Sequence, residues 1–338
     1  MAKETIRHRL GSRRRRRRRA VVLGLLLACA AAAIAVAASP SASRRPANHP
    51  GKGGQRRPAG GPPYPVGLYV ARYTEPGKTV TYATGETAPR SLLTYIRYPA
   101  LRSGLDAPPA PGSFPLVIFG HGFAKAPSFY APLLSRIAAA GFIVASPLFP
   151  LENPEAPGGP LRSDLPNEPA DVVFLHSRLL AEAENQSSPL YRLIDPQAVA
   201  LAGQSDGGDV ALTVAYGAEE ANPWVKAVVV WSGAQLPGAT YSWHAGEPPL
   251  LATQGTADPI NLPAETTAFF KGAAPPKYLV WLTGAGHLGP YSGQPPYSEV
   301  VAQSTICFLR LYLLGRCSAQ RLAQLADRPG ISYLEGSR

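Results

Sequence analysis

Short apolar runs alternate with segments of helical spacing along most of this chain, and the runs carry almost no polar interruptions. "FPLVIFGHG" (114–122), "GFIVASP" (141–147), "AVALA" (198–202), "KAVVVWSG" (226–233), "PLLATQGTAD" (249–258) and "KYLVWLTGAGH" (277–287) are of this kind. Strands that face solvent on one side alternate apolar with polar residues, so unbroken runs of this length predict strands buried on both faces of a parallel sheet. Between them, helical spacing predicts helices over about 128–140, 168–185, from 208 onward, near 263–271 and near 298–314. "TVTYAT" (79–84) and "LLTYIRYP" (92–99) read as an antiparallel edge, and 148–166 as a Pro/Gly-rich loop. The alternation predicts an α/β fold with a mostly parallel central sheet and helices on both faces. Residues 233–248 leave room for a short loop only, so no large lid is expected. No internal repeat is visible.

One junction stands out. In "AVALAGQSDGGDVAL" (198–212) a buried strand gives way to a helix across Gly203-Gln204-Ser205-Asp206-Gly207. A serine between glycines at a tight strand-to-helix corner is the layout of a nucleophile elbow, in which side chains at the glycine positions would obstruct the close approach of strand and helix. Alone, a Gly-x-Ser-x-Gly in a chain with 33 glycines is equally a chance loop. The partners decide between the two.

In sheets of this kind chemistry sits at the carboxyl ends of the strands, and Asp258 and His287 end the two apolar runs that follow. A serine hydroxyl needs a base, and the base needs an acid that fixes its tautomer. Ser…Asp…His is the order that follows an elbow. Elimination agrees: of the six histidines only His287 lies beyond Asp258, and of the acids between Ser205 and His287 only Asp258 ends a strand. Taken singly, Asp258 is a turn or cap residue and His287 a loop histidine; together they point to a relay. "GHGF" (120–123) follows an earlier strand and suits a loop that aims backbone N–H groups at a developing oxyanion. The amides of Phe123 and Asp206 are the expected donors, with His121 holding the loop.

With these residues assembled, the chain resembles the α/β-hydrolase fold from about residue 65 to 315. More narrowly, "GHG", "EPADVVFLHSRL", "GQSDGG" and "GTAD" are similar to the branch that contains bacterial cutinase-like polyester hydrolases, platelet-activating-factor acetylhydrolases and chlorophyllase-like proteins. In the polyester hydrolases the residues at the Phe123 and Trp231 positions flank the acyl group. The resemblance therefore implies substrate contact by Phe123 and Trp231; a core tryptophan at a strand end is the other reading of Trp231. Cutinases carry histidine and methionine around the nucleophile, whereas Gln204 and Asp206 stand here, a departure that speaks against polyester activity.

Composition changes the picture at the amino end. Of 33 Lys and Arg, 15 lie in residues 1–62 with the single acid Glu4, leaving 18 bases against 21 acids in the rest. The formal charge of +11 is thus local, and a nucleic-acid surface on the folded part is unsupported. Seven arginines at 13–19 precede an apolar run over 20–38, the layout of an export signal. Cleavage after the small residues near Ala37 and retention as a membrane anchor both remain open, as do a loose twin-arginine reading of "RRAVV" and a loose lipoprotein box at Cys29, against which the continued apolar sequence argues. The expected organisation is a signal peptide or anchor over 1–38, a disordered Pro/Gly/Arg-rich linker over 39–63, and a catalytic domain over 64–338.

Export permits oxidation of Cys307 and Cys317, which flank "FLRLYLLGR". Along one straight helix they would stand about 15 Å apart, so a disulfide requires the chain to fold back at Gly315; two buried free thiols are the alternative. The leading functional reading is an exported serine ester hydrolase, secreted or held at the outer face of the cytoplasmic membrane, that acts on small-molecule or polymeric esters through an acyl-enzyme. It is expected to be a monomer, to touch a membrane only through 20–38 if uncleaved, and to need no cofactor or metal. A serine peptidase on the same fold, or a non-catalytic cell-envelope binding protein, would differ in cleaving aminoacyl amides or nothing at all.

Overall fold

The computed structural model describes residues 63–218 and 222–337. The expected signal or anchor over 1–38 and the linker over 39–63 lie outside the described residues but for Pro63. The strands are β1 (Val66–Thr81), β2 (Thr87–Pro99), β3 (Gly104–Leu105), β4 (Phe114–Gly120), β5 (Ile143–Leu148), β6 (Ile194–Gln204), β7 (Val225–Trp231), β8 (Leu250–Gly255), β9 (Lys277–Leu282) and β10 (Ser332–Ser337). They form one sheet in the order β10-β9-β8-β7-β6-β4-β5-β2-β1-β3. From β5 to β9 every pairing is parallel; β10 adds antiparallel at one end, and at the other β2 and β1 add antiparallel before the two-residue β3 pairs parallel with β1.

Helices α1 (Ala131–Ala139), α2 (Glu168–Glu184), α3 (Asp206–Tyr216), α4 (Pro263–Gly272), α5 (Tyr297–Leu314) and α6 (Ala319–Ala326) cover the two faces. Side chains of a buried strand alternate between these faces, and the core is accordingly double. Val172, Leu175 and Leu179 of α2 and Val210 and Leu212 of α3 pack on one face. Leu133 and Ile137 of α1, Val301 and Phe308 of α5, and Leu322 of α6 pack on the other. The mostly parallel sheet with helices on both faces is the architecture that the apolar runs predict.

Two edges differ from the sequence reading. β1 begins at Val66 rather than near 79, because Glu75-Pro76-Gly77-Lys78, which reads as a turn, is absorbed as a register shift between Thr74 and Thr79 in a long hairpin with β2. Beyond the terminal helix the chain adds α6 and β10, and β10 pairs antiparallel with β9. "SYLEGS" has no apolar run because an edge strand needs none.

At Gly315, α5 ends in a left-handed residue with φ 62°, and the Arg316 amide reaches back 2.9 Å to the Arg310 carbonyl. The reversal brings the Cα atoms of Cys307 and Cys317 to 5.6 Å, and the two residues form the expected disulfide. Among the described residues no helix is long and apolar enough to cross a membrane.

After β5 the chain returns to the other side of β4, so the sheet order reverses between β4 and β6. The loops that leave the carboxyl ends of these two adjacent strands diverge and open a crevice between them. The "GHGF" loop leaves β4 there, and the serine corner leaves β6.

Candidate active site

Ser205 occupies the corner between β6 and α3 with φ 54° and ψ −126°, a left-handed conformation that non-glycine residues avoid. Close packing holds it there. A Cβ on Gly203 would run into the Gly207 carbonyl, and one on Gly207 into the Gly120 carbonyl, so strand, helix and the neighbouring β4 approach as only glycines allow. The Ser205 amide donates to the Trp231 carbonyl at 2.9 Å, tying the corner to β7.

The structure brings the three strand-end residues together. Ser205 Oγ lies 3.0 Å from His287 Nε2, and His287 Nδ1 lies 2.8 Å from Asp258 Oδ2. Asp258 is buried, and its other oxygen accepts from the amides of Ile260 at 2.9 Å and Asn261 at 3.1 Å. Burial pushes the Asp258 carboxyl up, but the hydrogen bond to His287 and the Ile260 amide together outweigh it and hold the group below the usual carboxylate range. An ionised acid at Nδ1 makes that nitrogen the donor, which leaves the Nε2 lone pair for the serine proton. The acid loop is itself tied down. Gln254 Nε2 donates to the Asn261 carbonyl at 2.9 Å, and Asn261 Nδ2 to the Ser232 carbonyl at 2.7 Å.

Gly122 lies against the nucleophile: a Cβ placed on it would stand 3.0 Å from that of Ser205. Its carbonyl accepts from His121 Nδ1 at 3.0 Å and from the Lys125 amide at 3.1 Å. His121 is fully buried, and its Nε2 accepts from the Phe149 amide at 3.0 Å, which fixes the proton on Nδ1. Burial lowers His121 to about 4, so it stays neutral and serves as the loop brace expected of it. Because the Phe123 N–H shares a planar trans peptide with the Gly122 carbonyl, bracing that carbonyl also aims the Phe123 N–H. The Asp206 amide opens α3 and has no acceptor within the helix. Both proposed oxyanion donors thus flank Ser205.

Trp231 is a correction. Its ring is fully buried, lies 5.6 Å from that of Tyr291 in a stack, and donates Nε1 to Thr305 Oγ1 of α5 at 3.3 Å. Being the last residue of β7 places it near the site, but the alternation of the strand turns its side chain into the core beneath α5. Only its backbone carbonyl reaches the serine corner. Phe123 is half-buried beside that corner.

Two residues near the site, Arg162 and Glu152, carry no sequence signal, and a third, Gln204, carries one only as a departure from the cutinase pattern. Arg162 grips Asp206 from the loop side, Gln204 lies within reach of His287, and Glu152 is fully buried behind the "GHGF" loop with its carbonyl accepting from the Ala124 amide at 2.8 Å. The connection between β7 and β8, residues 232–249, contains no helix, as the sequence predicts. Among the described residues no group of His, Cys, Asp and Glu could hold a metal ion.

Comparison with known proteins adds two findings. The chlorophyllase family matches residues 99–233, under half of the chain, a stretch that contains Ser205 but neither Asp258 nor His287. Among solved structures, a ferulic acid esterase from Streptomyces cinnamoneus superposes with a TM-score of 0.61 at 20% identity, over 80% of this chain and 96% of that one. At that identity the likeness speaks for the fold. No curated protein matches the chain.

Proposed function

Because the chain has a fold like that of an esterase and its residues 99–233 match the chlorophyllase family, we propose that it is an α/β-hydrolase, an exported serine carboxylic-ester hydrolase working through a covalent acyl-enzyme. The observation that carries this reading is the unbroken contact from Ser205 Oγ through His287 to Asp258, at 3.0 Å and 2.8 Å.

In the proposed reaction Ser205 Oγ attacks the ester carbonyl carbon as its proton passes to His287 Nε2. The carbonyl oxygen becomes an oxyanion facing the amides of Phe123 and Asp206. The intermediate then expels the alcohol, which takes the proton from His287, and leaves the acyl group on Ser205. Water, deprotonated by the same nitrogen, attacks the acyl carbon and releases the acid. Asp258 holds the ring orientation and balances the transient imidazolium. Phe123 is the proposed wall for the acyl group.

The absence of a helix in 232–249 supports an open site, and hence short- or medium-chain acyl esters or esters on a polymer surface. The ferulic acid esterase neighbour is in keeping with an ester substrate. Export rests on the arginine block and apolar run over 1–38 and is supported by the disulfide. The test is hydrolysis of p-nitrophenyl acetate through hexanoate beside a panel of aminoacyl nitroanilides, with a fluorophosphonate probe followed by peptide mapping. Ester turnover and labelling of Ser205 are expected. Labelling at Ser232, or turnover of the anilides alone, would overturn the assignment.

A further inference from the structure

Gln204, the residue before the nucleophile, is fully buried and has a hydrogen-bond pattern with only one possible direction. The Gly122 amide can only donate, and it reaches Tyr130 Oη at 3.1 Å. Tyr130 O–H donates onward to Gln204 Oε1 at 2.7 Å. That fixes the side-chain amide with its NH2 on the far side, where Nε2 donates to the His287 carbonyl at 3.3 Å and stands 3.2 Å from His287 Nε2. The chain of donors runs without a break from the oxyanion loop to the residue that takes the serine proton.

We propose that Gln204 is a positioning residue that locks the Gly122–Phe123 peptide and His287 to one another and holds the His287 ring with Nε2 facing Ser205. The inference rests on the serine-hydrolase reading above. One physical consequence follows from the contacts: the loop donor and the base, 165 residues apart in the chain, keep a common register through one side chain, so a shift of either is resisted by the other. The titratable groups facing this pair are Asp258 at Nδ1, Ser205 at Nε2 and Tyr130 at the glutamine oxygen. Tyr130 is kept protonated by burial, which raises its phenol against the lowering effect of the Gly122 amide.

The test compares wild type with Gln204→Met, Gln204→Glu and Tyr130→Phe, measuring kcat, KM and the rate of fluorophosphonate labelling across pH. Gln204→Met should lower kcat roughly 10- to 100-fold with KM nearly unchanged. Gln204→Glu keeps the oxygen for Tyr130 but offers an acceptor to the protonated ring, and should raise the acid-side midpoint of kcat/KM by about one pH unit. Tyr130→Phe breaks the relay without touching the base, and should lower kcat with the midpoint unmoved. Gln204 variants with wild-type kcat and midpoint overturn the inference while leaving a labelled Ser205 intact. A wild type that is never labelled overturns the hydrolase reading and this inference with it. If the Gln204 variants do not fold, an unchanged kcat in Tyr130→Phe overturns the proposal and a lowered one supports it.

Discussion

Arg162 grips Asp206 with two hydrogen bonds, 2.8 Å from Nε to Oδ2 and 2.7 Å from Nη2 to Oδ1, one residue past Ser205. The carboxylate side chain is 2% exposed and the guanidinium side chain 55%, so the arginine closes an otherwise buried charge from the solvent side. Its cation is held by that hydrogen-bonded contact and the Asp206 charge, against the opposing effect of burial. The pair fastens the loop after β5 to the first residue of α3, whose amide is a proposed oxyanion donor.

Removing Arg162 should therefore act on both stability and rate. Arg162→Met leaves a buried carboxylate without a partner, and because the lost partner was half in solvent the expected destabilisation is about 1–3 kcal/mol. Arg162→Lys supplies charge without the two-pronged geometry and should recover part of it. The double change Arg162→Met with Asp206→Asn should be more stable than Arg162→Met alone. Urea unfolding of wild type, Arg162→Met, Asp206→Asn and the double variant gives the coupling, and additive effects would show the contact to be energetically idle.

Asp258→Asn should leave the fold intact and lower kcat/KM by about 10⁴-fold, the size of loss seen when a triad acid can no longer set the tautomer. Because the folded protein holds the Asp258 carboxyl below its unfolded value, the ionised group stabilises the fold at neutral pH, and that contribution is lost as pH falls through the carboxylate range. The asparagine variant should show a flatter acid-side decline in urea midpoint. Near-full activity in Asp258→Asn would send the search to another acid.

Much of the fold was legible because parallel strands buried on both faces leave unbroken apolar runs, and the residues at their ends collect at one edge of the sheet. Ser205, Asp258 and His287 could be named from order alone for that reason. Trp231 could not be read the same way. Its position at a strand end was visible, but its face was not: neighbouring Val230 packs into one core and Trp231 into the other. The pairs that tune the site were invisible for a different reason. Gln204 meets Tyr130 across 74 residues and Arg162 meets Asp206 across 44, and no local pattern joins partners at such separations. At the edges, β1 was shortened by a Pro-Gly that the hairpin absorbs as a bulge, and polar β10 had no apolar run to betray it.

The Cys307–Cys317 bridge closes a loop with a sequence separation of 10, so by restricting the unfolded chain it should contribute about 2–3 kcal/mol. It pins α6 against α5, and through α6 the edge strand β10. Cys307→Ser with Cys317→Ser should lower the melting temperature, and so should adding reductant to wild type, with little change in KM. Alkylation of the protein isolated from its native cells without reductant should add no mass; two added labels would mean that the bridge does not form there.

Glu152 should make the fold lose stability as pH rises. It is fully buried, neither carboxyl oxygen has a hydrogen-bond partner, and burial, reinforced by Asp206 and opposed by Arg162, pushes it up to about 9. The folded protein therefore keeps a proton that the unfolded chain gives up near the ordinary carboxylate value. Between those two values the unfolded state binds fewer protons, so stability falls with rising pH, by up to about 1.4 kcal/mol per pH unit, and levels off above the folded value. Glu168, also fully buried and unpartnered, is raised by burial and by Glu152, and adds to the slope. Glu152→Gln, which mimics the protonated acid, should be more stable than wild type at neutral and alkaline pH and show a shallower decline. Because the Glu152 carbonyl holds the Ala124 amide next to Phe123, wild-type kcat should fall along the same alkaline limb and that of the variant should not. Thermal melts and kcat measured over one pH series check both expectations, and parallel curves for the two proteins would remove Glu152 as their cause.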